Sequence, residues 1–258
     1  ATGSSSVLFV LHGYGSSALN IMNYSNLRDY TYTKENNFIS IFPQGAPMNT
    51  ALATSSSHWN SGGWTIGSNV DDIDFIDVVL QLVSAKININ FNRVYSTGMS
   101  NGGFMSYHLA CNLSSKFAAV ISVTGSMSSE TFQDCNPDHP TAIMQIHGQL
   151  DSTVPYDGNS SLGMTGVEDV LNYWGNYNSC GEPTTSIADY FDQGFSVDHM
   201  IYSGCSNNVQ VELYKISNMG HTWPGAGRAW PDTDRFGISA SDKIWSFINM
   251  YDINGIIN

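Results

Sequence analysis

The segment Gly98-Met99-Ser100-Asn101-Gly102 constrains this chain most. An apolar β-type run, Val94-Tyr95-Ser96-Thr97, precedes it, and a helix-type run from Phe104 to Ala110 follows. A serine between two glycines, at the junction of a strand and a helix, sits on a turn tight enough to force strained backbone angles. The glycines keep side chains out of the crossing. The hydroxyl then stands clear of the strand end, and the helix N-terminus aims its amides at incoming negative charge. Such a hydroxyl is a weak nucleophile until a histidine takes its proton and a carboxylate orients the histidine. In this strand–serine–helix context the chain order is serine, acid, histidine, so both partners are sought after residue 100.

The rest of the chain alternates strands and helices. Val7–Leu11 is a continuous apolar run, as expected of a strand buried on both faces. Phe38–Phe42, Phe117–Val123, Ala142–Ile146 and Val209–Ile216 have the same character. Helical spacing appears in Ile73, Ile76, Val79, Leu80 and Val83 behind a cap at Asp71 or Asp72. It recurs at about 101–113, at about 167–177 and from Ser239 to Tyr251. This alternation predicts an α/β fold with a mostly parallel central sheet flanked by helices. Residues 46–69 form a long polar loop around His58-Trp59-Asn60-Ser61-Gly62-Gly63-Trp64, and long loops in compact domains usually serve function. Residues 184–205 are expected to form an aromatic hairpin over the active site. No linker or fixed-period repeat divides the chain, so residues 1–258 are expected to form one domain.

Asp151 lies just past the strand ending in His147-Gly148, where the orienting acid belongs; Asp157, beyond Pro155, is the lesser choice. His221 follows the last strand, where the base belongs. Among its rivals, His147 precedes the acid and sits in a turn, and His199 falls in the hairpin. His108 and His139 are assigned structural roles, whereas His12 and His58 are expected to line the site. An oxyanion needs two amide donors. Asn101 supplies one, and the loop His12-Gly13-Tyr14-Gly15 supplies the other, with Tyr14 preferred and Gly13 in reserve. Trp59, Trp64, Trp223 and Met99 are expected to bind substrate, and Tyr190, Phe191, Phe195 and Tyr202 to clamp it from the hairpin.

The formal net charge of −13, with nine Lys plus Arg, argues against nucleic acid and anionic membranes as partners. No apolar run reaches the length of a membrane span. Cys111, Cys135, Cys180 and Cys205 contain no C-x-x-C pair, which disfavours a metal site. Sequential pairing would close two loops of about 25 residues, each bridge contributing roughly 3 kcal/mol; two other pairings remain open. The cysteines and an N-terminus of Ala1-Thr2-Gly3 lead to the expectation of a secreted, extracellular protein.

Taken in order, His12-Gly13-Tyr14-Gly15, Trp59-Asn60-Ser61-Gly62-Gly63, Val70-Asp71-Asp72-Ile73, Gly98-Met99-Ser100-Asn101-Gly102-Gly103, His147-Gly148-Gln149-Leu150-Asp151 with Val154-Pro155-Tyr156, and Gly220-His221-Thr222-Trp223-Pro224-Gly225 form a set. The set resembles secreted esterases of the feruloyl esterase, acetyl xylan esterase and poly(3-hydroxybutyrate) depolymerase-like group. Trp64 stands where relatives often carry a cysteine, and 184–205 matches loosely. The resemblance implies an α/β-hydrolase fold, a Ser100–His221–Asp151 mechanism and no metal or organic cofactor. The expected substrate is an ester-bearing plant polysaccharide or aromatic ester, with a hydroxycinnamoyl ester of xylan first. Acetylated xylan and hydroxyalkanoate polyester are the alternatives, a monomer is expected, and a non-catalytic carbohydrate-binding homologue is the reading from another class.

Overall fold

The computed structural model describes residues 3–33, 37–48, 55–192, 194–226 and 236–257. Eight strands make one sheet: β1 (Ser5–Leu11), β2 (Phe38–Ile41), β3 (Ile89–Met99), β4 (Ala119–Val123), β5 (Ala142–Gly148), β6 (Thr184–Asp192), β7 (Phe195–Tyr202) and β8 (Val211–Ile216). Their order is β2-β1-β3-β4-β5-β8-β7-β6. The first six strands in that order run parallel; β7 and β6 then add antiparallel at the far edge. The predicted mostly parallel sheet is therefore present, and its central strands are the continuous apolar runs. Val7 to Leu11 are fully buried, because helices cover both faces of the sheet. Each such side chain contributes about 1.5–3 kcal/mol through its removal from water.

The helices are α1 (Ala18–Ser25), α2 (Leu27–Thr33), α3 (Asp72–Ser84), α4 (Asn101–Asn112), α5 (Ser129–Asp134), α6 (Val167–Tyr177) and α7 (Ala240–Ile248). Of the two capping candidates for α3, Asp71 caps, accepting from the Asp74 amide at 3.0 Å. Asp72 is buried and instead accepts from Asn60 N at 2.7 Å, which ties the long loop to the helix. Among the described residues no helix is long and apolar enough to cross a membrane.

One expectation is corrected. The closing helix stops at Ile248, and Tyr251 enters a small hairpin, β9 (Tyr251–Asp252) with β10 (Gly255–Ile256). The turn Asp252-Ile253-Asn254-Gly255 overrides the helical spacing: Asp252 Oδ1 accepts from Asn254 N at 2.7 Å, and Gly255 takes φ +118°. The aromatic hairpin is β6–β7, which extends the sheet as its antiparallel edge. Phe195 packs on Phe236 with ring centroids 4.9 Å apart, and Tyr202 is buried with its hydroxyl on Asn172 Oδ1 at 2.7 Å. The side chains of Tyr190 and Phe191 lie outside the described residues.

The cysteines pair sequentially, Cys111–Cys135 and Cys180–Cys205, with separations of 24 and 25 residues. The first bridge joins the end of α4 to the residue after α5. The second closes the segment that carries β6 and β7.

Candidate active site

Strand β3 delivers Ser100 to the carboxyl end of the sheet. Its φ of 56° and ψ of −123° lie in a region that ordinary residues avoid, at a cost of roughly 1–3 kcal/mol. Packing around the elbow holds it there. A β-carbon on Gly98 would fall 2.4 Å from the Gly102 carbonyl carbon, and one on Gly102 would fall 2.3 Å from Leu11 O. Strand β3 meets helix α4 too closely for a side chain at Gly98, and helix α4 meets the end of β1 too closely for one at Gly102. Ser100 N donates to Val123 O at 2.9 Å, and Ser100 O accepts from Gly103 N and Phe104 N.

The loop after β1 brings Gly13 within 3.5 Å of Ser100 Cβ, measured from an ideal glycine β-carbon. Gly15, at φ +68°, turns the chain there, with its amide on Ser57 O at 2.8 Å. The amides of Tyr14 and Asn101 have no hydrogen-bond partner among the described residues. Two unoccupied donors therefore flank the serine, one from each side of the elbow. The buried Asn101 side chain fixes the second donor: its Oδ1 accepts from Trp59 N at 2.7 Å and its Nδ2 donates to Trp59 O at 3.0 Å.

Asp151 follows β5, and His221 follows β8. His221 Nδ1–H donates to Asp151 Oδ2 at 2.7 Å, which leaves Nε2 as the proton acceptor. The other carboxylate oxygen accepts from Thr153 N and Val154 N, each at 2.9 Å. Burial pushes the Asp151 carboxyl up, but His221, the Val154 amide and His147 together outweigh it and hold it below the ordinary carboxylate value. Ser100 and His221 line one cavity of about 540 Å³. Ser100 Oγ has no hydrogen bond among the described residues, a resting arrangement of the kind that tightens when substrate enters.

A model of the phospholipase/carboxylesterase family matches residues 2–165. The chain belongs to this family. Feruloyl esterase B from Piromyces equi is 25% identical over 188 residues, covering 68% of this chain and 34% of that protein. Feruloyl esterase C from Emericella nidulans is 29% identical over 209 residues, covering 81% of this chain and 68% of that one. The chain thus spans about a third of the first relative's length and about two thirds of the second's. The acetyl xylan esterase from Aspergillus awamori superposes with a TM-score of 0.63 at 14% identity, covering 95% of this chain and 89% of that one, a likeness of fold.

Of the aromatic wall expected from Trp59, Trp64 and Trp223, none lines the cavity holding Ser100. Trp59 is fully buried, its indole N–H on His12 O at 2.9 Å, so it braces the loop after β1 against Asn101. Trp223 is 1% exposed and donates to Ser241 Oγ at 3.1 Å, which anchors the His221 loop to α7. A buried indole needs one acceptor, and in both cases that acceptor lies in the scaffold. Trp64 is half-buried and meets the Tyr14 ring edge-on, with centroids 5.0 Å apart. Met99 lines the cavity. His12 and His58, expected at the site, are buried: His12 Nε2 accepts from Gly45 N at 3.0 Å, and His58 bridges Ala46 O and Ser68 Oγ.

Ser16, Asn20, Ile21, Asn23 and Tyr24 complete the cavity wall, and sequence reasoning overlooked them. Their signal was present: Asn20, Asn23 and Tyr24 stand at i, i+3 and i+4 on α1, a polar stripe on one helix face directly after the Tyr14 loop. Tyr24 Oη also lies 3.1 Å from Thr222 Oγ1, which ties this wall to the residue after His221.

Proposed function

We propose that the chain is a carboxylic ester hydrolase that releases hydroxycinnamic acids from plant cell-wall xylan through a Ser100 acyl-enzyme. One observation carries the acyl preference: the cavity beside Ser100 and His221 has a volume of about 540 Å³ and is walled by Tyr14, Ile21, Tyr24 and Met99, with Asn20 and Asn23 among its polar groups. This combination suits a flat aromatic acid with oxygen substituents, and it is more room than an acetyl group uses. The names of the feruloyl esterase relatives support the same substrate class. The two disulfides agree with action outside the cell.

In the proposed reaction, Ser100 Oγ attacks the ester carbonyl as His221 Nε2 takes its proton. Asp151 keeps the proton on Nδ1 and stabilises the imidazolium. The Tyr14 and Asn101 amides receive the oxyanion; removing one such donor costs on the order of 3 kcal/mol of transition-state stabilisation. His221 then protonates the departing sugar alcohol, and water activated by the same imidazole releases the acid.

Specificity constants on methyl ferulate, acetylated xylan and short hydroxybutyrate oligomers test this reading. We expect ferulate to lead by at least ~10-fold, a difference of about 1.4 kcal/mol. A lead for acetylated xylan overturns the acyl assignment, and no turnover of any of the three overturns the esterase itself.

A further inference from the structure

Across the Tyr14–Trp64 contact lies a second cavity, of about 330 Å³, lined by Trp64, Ser129, Glu130, Ser160, Ser161 and Leu162 with Gly63 and Gly163 between them. It shares no lining residue with the catalytic cavity. Trp64 couples the two, because its ring abuts Tyr14 and it packs against the small buried cluster of Phe104, Val154 and Met164.

The walls are held apart by close backbone packing. Gly63, at φ +57°, presses on the turn that ends at Gly163: a β-carbon on Gly63 would meet Gly163 O at 2.9 Å. Gly63 N also donates to Glu130 Oε2 at 2.6 Å, which fixes the carboxylate at the rim. The other Glu130 oxygen and the hydroxyls of Ser129, Ser160 and Ser161 have no hydrogen bond among the described residues. The cavity therefore offers an indole and an exposed Leu162 on one hand, and short acceptors and donors free for an outside molecule on the other.

We propose that this cavity is a subsite for a neutral sugar residue of the polysaccharide that bears the ester. The inference rests on the esterase reading above and adds where the polymer is held. A pyranose ring has apolar faces of C–H groups, which pack on an aromatic ring, and a rim of hydroxyls, which pair with carboxylate and serine oxygens. Glu130, on a chain of net charge −13, disfavours an anionic ligand such as a uronate.

The test uses unsubstituted xylohexaose and the Ser100→Ala protein, followed by tryptophan fluorescence and by NMR of the indole N–H resonances. Saturable binding is expected, weakened at least ~10-fold by Ser161→Trp, which fills the cavity, and reduced by Glu130→Gln; tenfold corresponds to 1.4 kcal/mol. In the active enzyme, Ser161→Trp is expected to lower the ratio of kcat/KM on feruloylated xylo-oligosaccharide to that on methyl ferulate by a similar factor. Binding that neither substitution weakens, or an unchanged ratio, overturns the subsite. Because the binding arm does not require turnover, oligosaccharide binding in a chain that hydrolyses neither ester would sink the esterase reading and leave the subsite standing.

Discussion

Two imidazoles approach the same carboxylate oxygen. His221 Nδ1 lies 2.7 Å from Asp151 Oδ2, and His147 Nε2 lies 3.6 Å from it. Proximity to the acid does not separate them; the fate of the second nitrogen does. His147 is fully buried with both nitrogens committed: Nδ1 accepts from Gln145 Nε2 at 2.8 Å, and Nε2–H donates to Val154 O at 2.9 Å. Tyr107 in turn donates to Gln145 Oε1 at 2.9 Å, which fixes the amide's orientation and hence the tautomer of His147. Burial holds His147 below the ordinary histidine value, against the opposing pull of Val154 O and the Asp151 charge. The His221 side chain keeps 21% exposure, its Nε2 has no hydrogen bond among the described residues, and the residue lines the cavity that includes Ser100. One imidazole holds the Val154 end of the acid's loop; in the proposed mechanism the other moves the proton.

The largest effects should fall on the free imidazole and its partner. His221→Ala and Ser100→Ala should each lower kcat/KM on methyl ferulate by ~10⁴–10⁶, with the thermal transition little changed, since members of such a unit fail together. Should His147→Ala cost as much while His221→Ala is mild, the two roles are exchanged. Asp151→Asn should follow at ~10⁴, because an amide can present its N–H to Nδ1 and select the wrong tautomer. A weaker effect, near tenfold, would mean that the Tyr24–Thr222 contact and the Trp223 anchor orient His221 without the carboxylate.

The difference between these histidines was half legible in the sequence. Chain order and position after a strand picked out Ser100, Asp151 and His221, because elbow geometry leaves a local signature in Gly98 and Gly102. That signature is short-range, and so are the turn residues and apolar runs that gave the parallel sheet. What stayed hidden depends on contacts between distant segments. His147 reads as a turn residue until Gln145 and Val154 converge on it. Trp59 and Trp223 stand two or fewer residues from motif positions, yet they face the scaffold, since a strand or loop residue's side is set by what packs there. The hairpin at 184–205 was legible as strands but not as the antiparallel edge of the central sheet. Nothing local distinguishes a flap from an edge extension, whose decisive feature is the register of Val197 with Ile216.

Smaller effects sharpen the positioning role. His147→Leu leaves the Val154 carbonyl and one Gln145 proton without partners, at roughly 1–3 kcal/mol each in stability. If the Asp151 loop shifts by an ångström, kcat should fall on the order of 100-fold with KM nearly constant. A loss of stability with full kcat would make His147 a core residue only. The final contrast is in pH dependence. Because the folded chain holds His147 below its ordinary value of about 6.5, the unfolded chain binds the proton more readily. The stability that neutral His147 contributes is therefore complete above about pH 6.5 and is lost as pH falls toward the lowered value. His12, also lowered by burial, and His108, lowered to about 4, act in the same direction. Asp151 is lowered too, but its contribution fades only below about pH 3.9, outside this window. Urea denaturation between pH 7.5 and 5 should show stability falling by up to ~1.4 kcal/mol per pH unit for each fully responding histidine. His147→Gln should remove one such share of the slope. An unaltered slope would show that His147 accepts protons equally in both states, and the neutral, locked imidazole would have to be abandoned as the partner that sets Asp151.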